Sequence, residues 1–102
     1  MKVYDKLVRD KIPEIIESCG NKCDIEIVSD DIAIEYLYKK LNEEVEELLK
    51  DKNLEEIVDV MEVLFAIGKK YGYSEDEVLD KRNNKRDARG GFDCNLILKK
   101  TY

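Results

Sequence analysis

Between residues 32 and 50, Ile34, Leu37, Tyr38, Leu41, Val45, Leu48 and Leu49 recur at three- and four-residue intervals. That spacing is the apolar stripe of an amphipathic helix, and Ser29, Asp30 and Asp31 ahead of it offer an N-cap. "KDKN" interrupts the pattern, and a second helix is predicted from Leu54 to Tyr71, ended by Gly72. A third starts at Ser74, with Glu77 three residues on as a capping box, and runs to about Arg86. Near the N-terminus, Asp10 is placed to cap a short helix with Pro13 in its first turn and Gly20 at its end. Two stretches have strand character instead. In "CDIEIVSD", Ile25 and Ile27 alternate around Glu26, and the tail "GGFDCNLILKK" ends in an apolar run that can pair with residues 24–28.

The second helix departs from a simple stripe. Ile57, Val58, Val60, Met61, Val63, Leu64, Phe65 and Ile67 cover most of its circumference, and a helix apolar nearly all round is buried on several sides. In a 102-residue chain this favours a bundle completed by another subunit over a central helix in a monomer. The expected fold is therefore one mainly α domain over residues 1–102. It is a helical bundle with short N- and C-terminal strand additions and a core completed in a homodimer or homotetramer.

Composition narrows the chemistry. The chain is 43% hydrophobic and 41% charged, which suits helices and argues against long disorder. A formal charge of −6 gives no general attraction for nucleic acid or an anionic membrane, so neither is an expected partner. There is no histidine, which removes Ser-His and Cys-His catalysis, His-ligated zinc and His general bases. Cys19, Cys23 and Cys94 are odd in number and form no C-x-x-C pair, so they read as reduced structural thiols. No apolar run approaches the ~20 residues of a membrane span. The charged "MKVYDKLVRDK" lacks a signal-peptide core, making the cytoplasm the expected compartment.

The acidic residues are concentrated on the two longest helices. At ~100° per residue, Glu44 falls beside Leu37 at the edge of the first helix's stripe, Glu47 one step outward, Glu43 beyond it, and Glu46 on the opposite arc. On the second helix Glu56 falls between Val63 and Ile67, Asp59 at the border of the apolar belt, and Glu62 further round. Carboxylates on an apolar face are costly unless compensated. Glu44 with Glu47, and Glu56 with Asp59, are i, i+3 pairs that share a helix face. A short connection makes the helices antiparallel neighbours, so four acidic side chains can converge. With no histidine and few cations on either helix, a divalent cation is the natural partner, and hard oxygen donors select Mg²⁺, with Mn²⁺ as a substitute. A lone E-x-x-E is more often a solvated helix face; the second pair, on an otherwise apolar helix, shifts the balance to a metal site.

These residues resemble a known family. "KLNEEVEELLKDKNLEEIVDVMEVL" is similar to the E-x-x-E … E-x-x-D core of the all-α nucleoside triphosphate pyrophosphohydrolases, the MazG-like superfamily. The opening "YDKLVRDKIPEII" and closing "KRDARGGF" resemble its small single-domain branch of house-cleaning enzymes. The resemblance implies Mg²⁺-dependent cleavage between the α and β phosphates of a nucleotide, giving a nucleoside monophosphate and pyrophosphate. It implies Glu44, Glu47, Glu56 and Asp59 as metal ligands, and Glu43 as the group that orients or deprotonates the attacking water. Only eight residues separate Glu47 from Glu56, fewer than is usual in the superfamily, which requires a tight turn. A phosphoribosyl nucleotide pyrophosphohydrolase is an alternative within the same superfamily. A non-enzymatic helical dimerisation module is an alternative outside it.

A basic run, "KRNNKRDAR", follows at residues 81–89. Lys85 and Arg89 share a face if the helix continues, and "NKRDAR" resembles the family's N-K-x-x-x-R phosphate-binding element, implying phosphate contacts for Lys81, Lys85, Arg86 and Arg89. The competing readings are RNA binding and a helix end complementing its own dipole. Gly90 and Gly91 in "RGGF" offer either a close backbone approach to a ligand or a plain turn. Tyr36, Tyr38 and Phe65 are candidates to stack on a base, or core residues. At the N-terminus, Leu7, Val8 and Ile12 are expected to pack while Lys6, Arg9 and Lys11 face water, with phosphate contacts the lesser expectation.

Overall fold

A computed structural model describes residue 2 and residues 4–102. Four helices follow one another, α1 (Ile12–Ser18), α2 (Asp30–Asp51), α3 (Leu54–Lys70) and α4 (Glu75–Arg89). The cap residues explain most of the boundaries. The Ser29 hydroxyl accepts from the backbone N–H of Ile32, and Asn53 Oδ1 accepts from that of Glu56. Ser74 and Glu77 close a reciprocal capping box. α1 starts without a side-chain cap, on Lys11 rather than Asp10. A turn closed by Ile12 N–H on the Arg9 carbonyl, 3.0 Å, leaves Asp10 one residue ahead of the cap position, where its carboxylate caps nothing.

α2 and α3 form an antiparallel hairpin. Lys52 takes left-handed backbone (φ 54°, ψ 46°) and Asn53 returns to extended backbone, so two residues reverse the chain. At the other end Lys70 Nζ donates to Asp30 Oδ1 at 2.7 Å, tying the last turn of α3 to the first of α2. Leu37, Val63 and Ile67 are the buried centre, with Leu7, Ile34, Leu41 and Ala66 packed around them. Beyond Gly72, whose φ of 96° is left-handed, α4 leaves against α3 alone. A Cβ at Gly68 would lie 3.3 Å from Val78 Cγ2, so this glycine lets the two helices close.

The strand additions do not form among the described residues. Residues 24–28 and 95–99 run without a partner, with Ile27 94% and Leu96 86% exposed. A strand is stable only when a neighbour takes its backbone N–H and C=O groups, and neither stretch has one in the single chain. α3 also keeps an uncovered flank, with Ile57, Val58, Met61 and Leu64 all exposed. The Cα radius of gyration is 17.9 Å, against about 13 Å for a compact chain of about 100 residues. Among the described residues no helix is long and apolar enough to cross a membrane.

Candidate metal centre

The α2–α3 turn positions the acidic residues. Glu44 lies two helical turns beyond Leu37, so it shares the face that α2 presses onto α3. It is buried, only 8% exposed. The Asn53 cap fixes the first turn of α3 and with it the backbone of Glu56, at 3.0 Å. One carboxylate oxygen each from Glu44, Glu56 and Asp59 lies within 4.8 Å of the others.

The charges in this group are only partly answered. Lys40 Nζ lies 3.5 Å from Glu44 Oε1, an i, i+4 pair on α2. Arg9 Nη2 donates to Asp59 Oδ1 at 2.7 Å. Glu44 Oε2 and Glu56 Oε2 are both buried with no hydrogen-bond partner. Burial raises the Glu56 carboxyl above its ordinary value, and the charges of Glu47, Asp51, Asp59 and Glu44 push in the same direction. Two orphaned oxygens in a wholly oxygen-donor cluster suit a hard divalent cation. Ligands on opposite sides of a Mg²⁺ ion are about 4.2 Å apart, a separation that small side-chain rotations reach from the observed spacing.

Of the four expected ligands, the structure thus gathers three. Glu47 is exposed and stands outside the 4.8 Å group, although its charge still acts on Glu56. Glu43 is half-exposed on the outer side of the cluster, with Lys6 Nζ 3.6 Å from its Oε1. Glu46 faces solvent, as its place on the wheel predicts. Helix α4 does continue to Arg89. Its Lys81, Lys85, Arg86 and Arg89 are exposed, and among the described residues none makes an ion pair. α4 meets α3 at Gly68 and Val78, toward the end of α3 away from Glu56, and none of these cations lines the cleft beside Glu44 and Asp59.

The cations that do reach the cluster come from elsewhere. A cleft of about 810 Å³ between the N-terminal segment and the hairpin is lined by Lys6, Arg9, Lys40, Glu44, Asp59 and Glu62, among others. Lys40, absent from the expected site, was legible as a neighbour of Glu44, because it precedes it by four positions. Arg9 was not. Its contact spans 50 positions, and the only trace in the sequence is Leu7, whose packing on the core draws the segment over the hairpin. The aromatic candidates divide: Phe65 is partly covered and lines the cleft, the Tyr36 hydroxyl donates to Asp5, and the Tyr38 and Tyr71 hydroxyls share a hydrogen bond of 2.7 Å. No protein-family model, curated protein or solved structure matches this chain.

Proposed function

We propose that the protein is a Mg²⁺-dependent nucleoside triphosphate pyrophosphohydrolase that releases a nucleoside monophosphate and pyrophosphate. On this reading it is a cytoplasmic house-cleaning enzyme for aberrant nucleotides. The observation that carries the reading is the buried, unpartnered Oε2 of Glu44 beside the carboxylates of Glu56 and Asp59. A side chain so placed needs a cation that the chain itself only half supplies.

Glu44, Glu56 and Asp59 would hold the ion, with Glu47 as a further candidate ligand. Mg²⁺, or Mn²⁺ in its place, would supply charge neutralisation on the phosphates and acidify a water, inverting the sign of an otherwise anion-repelling site. Glu43 would accept a proton from the water whose oxygen bonds to the α phosphorus, while the bond from that phosphorus to the α–β bridging oxygen breaks and pyrophosphate leaves with the electron pair. Two chains associate through the open flank of α3, and residues 95–99 pair with 24–28 in the assembly. Lys81, Lys85, Arg86 and Arg89 then reach the phosphates from a neighbouring α4.

The test is pyrophosphate release from a panel of ordinary and modified nucleoside triphosphates, with Mg²⁺ and with EDTA. Release paired with monophosphate, dependent on the metal, absent in Glu56→Gln and Asp59→Asn and retained in Glu46→Gln, is the expected result. Release that survives EDTA, or no release from a folded protein, refutes it. Competition with phosphoribosyl nucleotides separates the house-cleaning role from the phosphoribosyl one.

A further inference from the structure

The segment ahead of α1 crosses the mouth of the hairpin and is fastened by Leu7, Lys6 and Arg9, besides the Tyr36–Asp5 hydrogen bond. Leu7 packs against the Leu37–Val63–Ile67 core. On one side of it Lys6 reaches Glu43 of α2 at 3.6 Å; on the other, Arg9 reaches Asp59 of α3 at 2.7 Å. The two cations therefore line the same cleft as Glu44 and Asp59, two of the three clustered carboxylates, with Lys40 on its wall. Such placement exceeds what anchoring the segment requires, since both ion pairs are substantially exposed and exposed pairs contribute little to stability. Meanwhile the most buried acid, Glu44 at 8% exposure, keeps an oxygen without a partner, so Arg9 and Lys40 leave the cluster's charge incompletely answered.

We infer that Arg9, with Lys6 beside it, is an anion-binding group for the diphosphate portion of the substrate, held in reserve on the carboxylates until a divalent cation takes its place. The inference rests on the metal-centre reading above. A divalent ion at Glu44, Glu56 and Asp59 carries more charge into the cluster than a single guanidinium at its edge, and it weakens Asp59's hold on Arg9. The freed guanidinium stays within reach, because Leu7 keeps its segment on the core. Its planar fork of N–H donors matches two phosphate oxygens at once. The chain thus brings both partners of a metal–diphosphate complex to one cleft, the ion on α2 and α3 and the counter-charge on the N-terminal segment. This places the first phosphate contacts within the same chain as the metal ligands, independently of α4.

The test uses the full chain and two probes, Mn²⁺ alone and inorganic pyrophosphate in saturating Mg²⁺, with binding followed calorimetrically for the parent, Arg9→Ala and Arg9→Lys. Arg9→Ala is expected to bind Mn²⁺ at least as tightly as the parent, because Asp59 has lost a competing partner. Its affinity for pyrophosphate falls about 10- to 100-fold, the scale of a lost charge-assisted contact. Arg9→Lys keeps the charge without the fork and recovers part of that loss. Unchanged pyrophosphate affinity in Arg9→Ala overturns the inference. So does a parallel fall in Mn²⁺ affinity, which would make Arg9 a prop for Asp59 and nothing more. A parent that binds no Mn²⁺ rejects the metal centre and this inference together. A parent that binds Mn²⁺, with pyrophosphate indifferent to Arg9, rejects this inference alone.

Discussion

Replacing Glu44 with Gln changes one oxygen to an NH₂ and removes one charge from the centre of the acidic cluster. At 4.8 Å, the widest separation in the group, two unit charges repel by about 3.5 kcal/mol with an effective dielectric of 20, before counter-charges and solvent reduce it. Lys40, 3.5 Å from Glu44, and Arg9, 2.7 Å from Asp59, offset much of this, and solvent screens Asp59, which is 37% exposed. Removing the Glu44 charge from the metal-free protein is expected to relieve about 1–2 kcal/mol of repulsion within the cluster. In the variant, the Gln carbonyl still accepts from Lys40 and the amide donates toward Glu56 and Asp59.

Glu44→Gln is therefore expected to unfold at a higher temperature than the parent in EDTA, by about 4–8 °C per kcal/mol for a domain of this size. Saturating Mg²⁺ reverses the order. The parent gains about 2.7 kcal/mol when the ion stands at 100 times its dissociation constant, whereas the variant gains little. Thermal unfolding followed by circular dichroism at 222 nm, at one protein concentration with and without Mg²⁺, reads both effects. A variant that melts below the parent in EDTA, with a parent indifferent to Mg²⁺, would show that Glu44 serves only as a partner for Lys40. The cluster would then be no metal centre.

Three further outcomes follow from the same geometry. Because the Glu56 carboxyl is raised above its ordinary value of 4.5, its contribution to stability is fully present below the unfolded value and is lost as pH rises through the higher folded value. Urea titrations in EDTA should accordingly show a flatter pH dependence for Glu56→Gln than for the parent across the carboxylate range and just above it; an identical dependence would dismiss the shift. Asn53→Ala removes the cap on the Glu56 backbone and should lower stability by about 1 kcal/mol while weakening Mn²⁺ binding, both measurable on one sample; unchanged Mn²⁺ affinity would uncouple the turn from the site. Met61→Asp with Leu64→Asp places charge on the open flank of α3 and should leave a helical monomer by light scattering where the parent is a dimer or larger; a monomeric parent would refute assembly through that face.

The hairpin and its acidic face were legible because helical geometry is local. Leu37 and Glu44 are seven residues apart, close to two full turns, so the burial of one predicts that of the other. Val63 and Ile67 bracket Glu56 on α3 in the same way. The position of Glu47 was less legible. It sits one further step around α2, and a rotation of that size separates a covered residue from an exposed one at the margin of a two-helix contact. Periodicity reports which residues share a face, but not where the partner's edge falls. The Arg9–Asp59 pair lay beyond any periodic signal, since it depends on where an irregular segment settles across the hairpin.

The strands failed to form for a related reason. Alternation such as that of Ile25 and Ile27 describes a surface able to join a sheet, and the sheet itself must come from elsewhere. The breadth of apolar surface on α3 has the same character. α2 covers the side bearing Val63 and Ile67, the carboxylates Glu56 and Asp59 border that contact, and Ile57, Val58, Met61 and Leu64 are left facing outward. One helix thus presents three functions around its axis: a core seam, a row of metal-binding candidates and an uncovered flank. Burying the flank would also reduce solvent near the acidic row, since Leu64 at the flank's edge lies about 80° from Glu56 around α3. A drier surrounding raises the cost of unpaired carboxylates and with it the benefit of a bound cation. Assembly and metal affinity should therefore rise together, and the flank variants that yield a monomer should also bind Mn²⁺ less tightly.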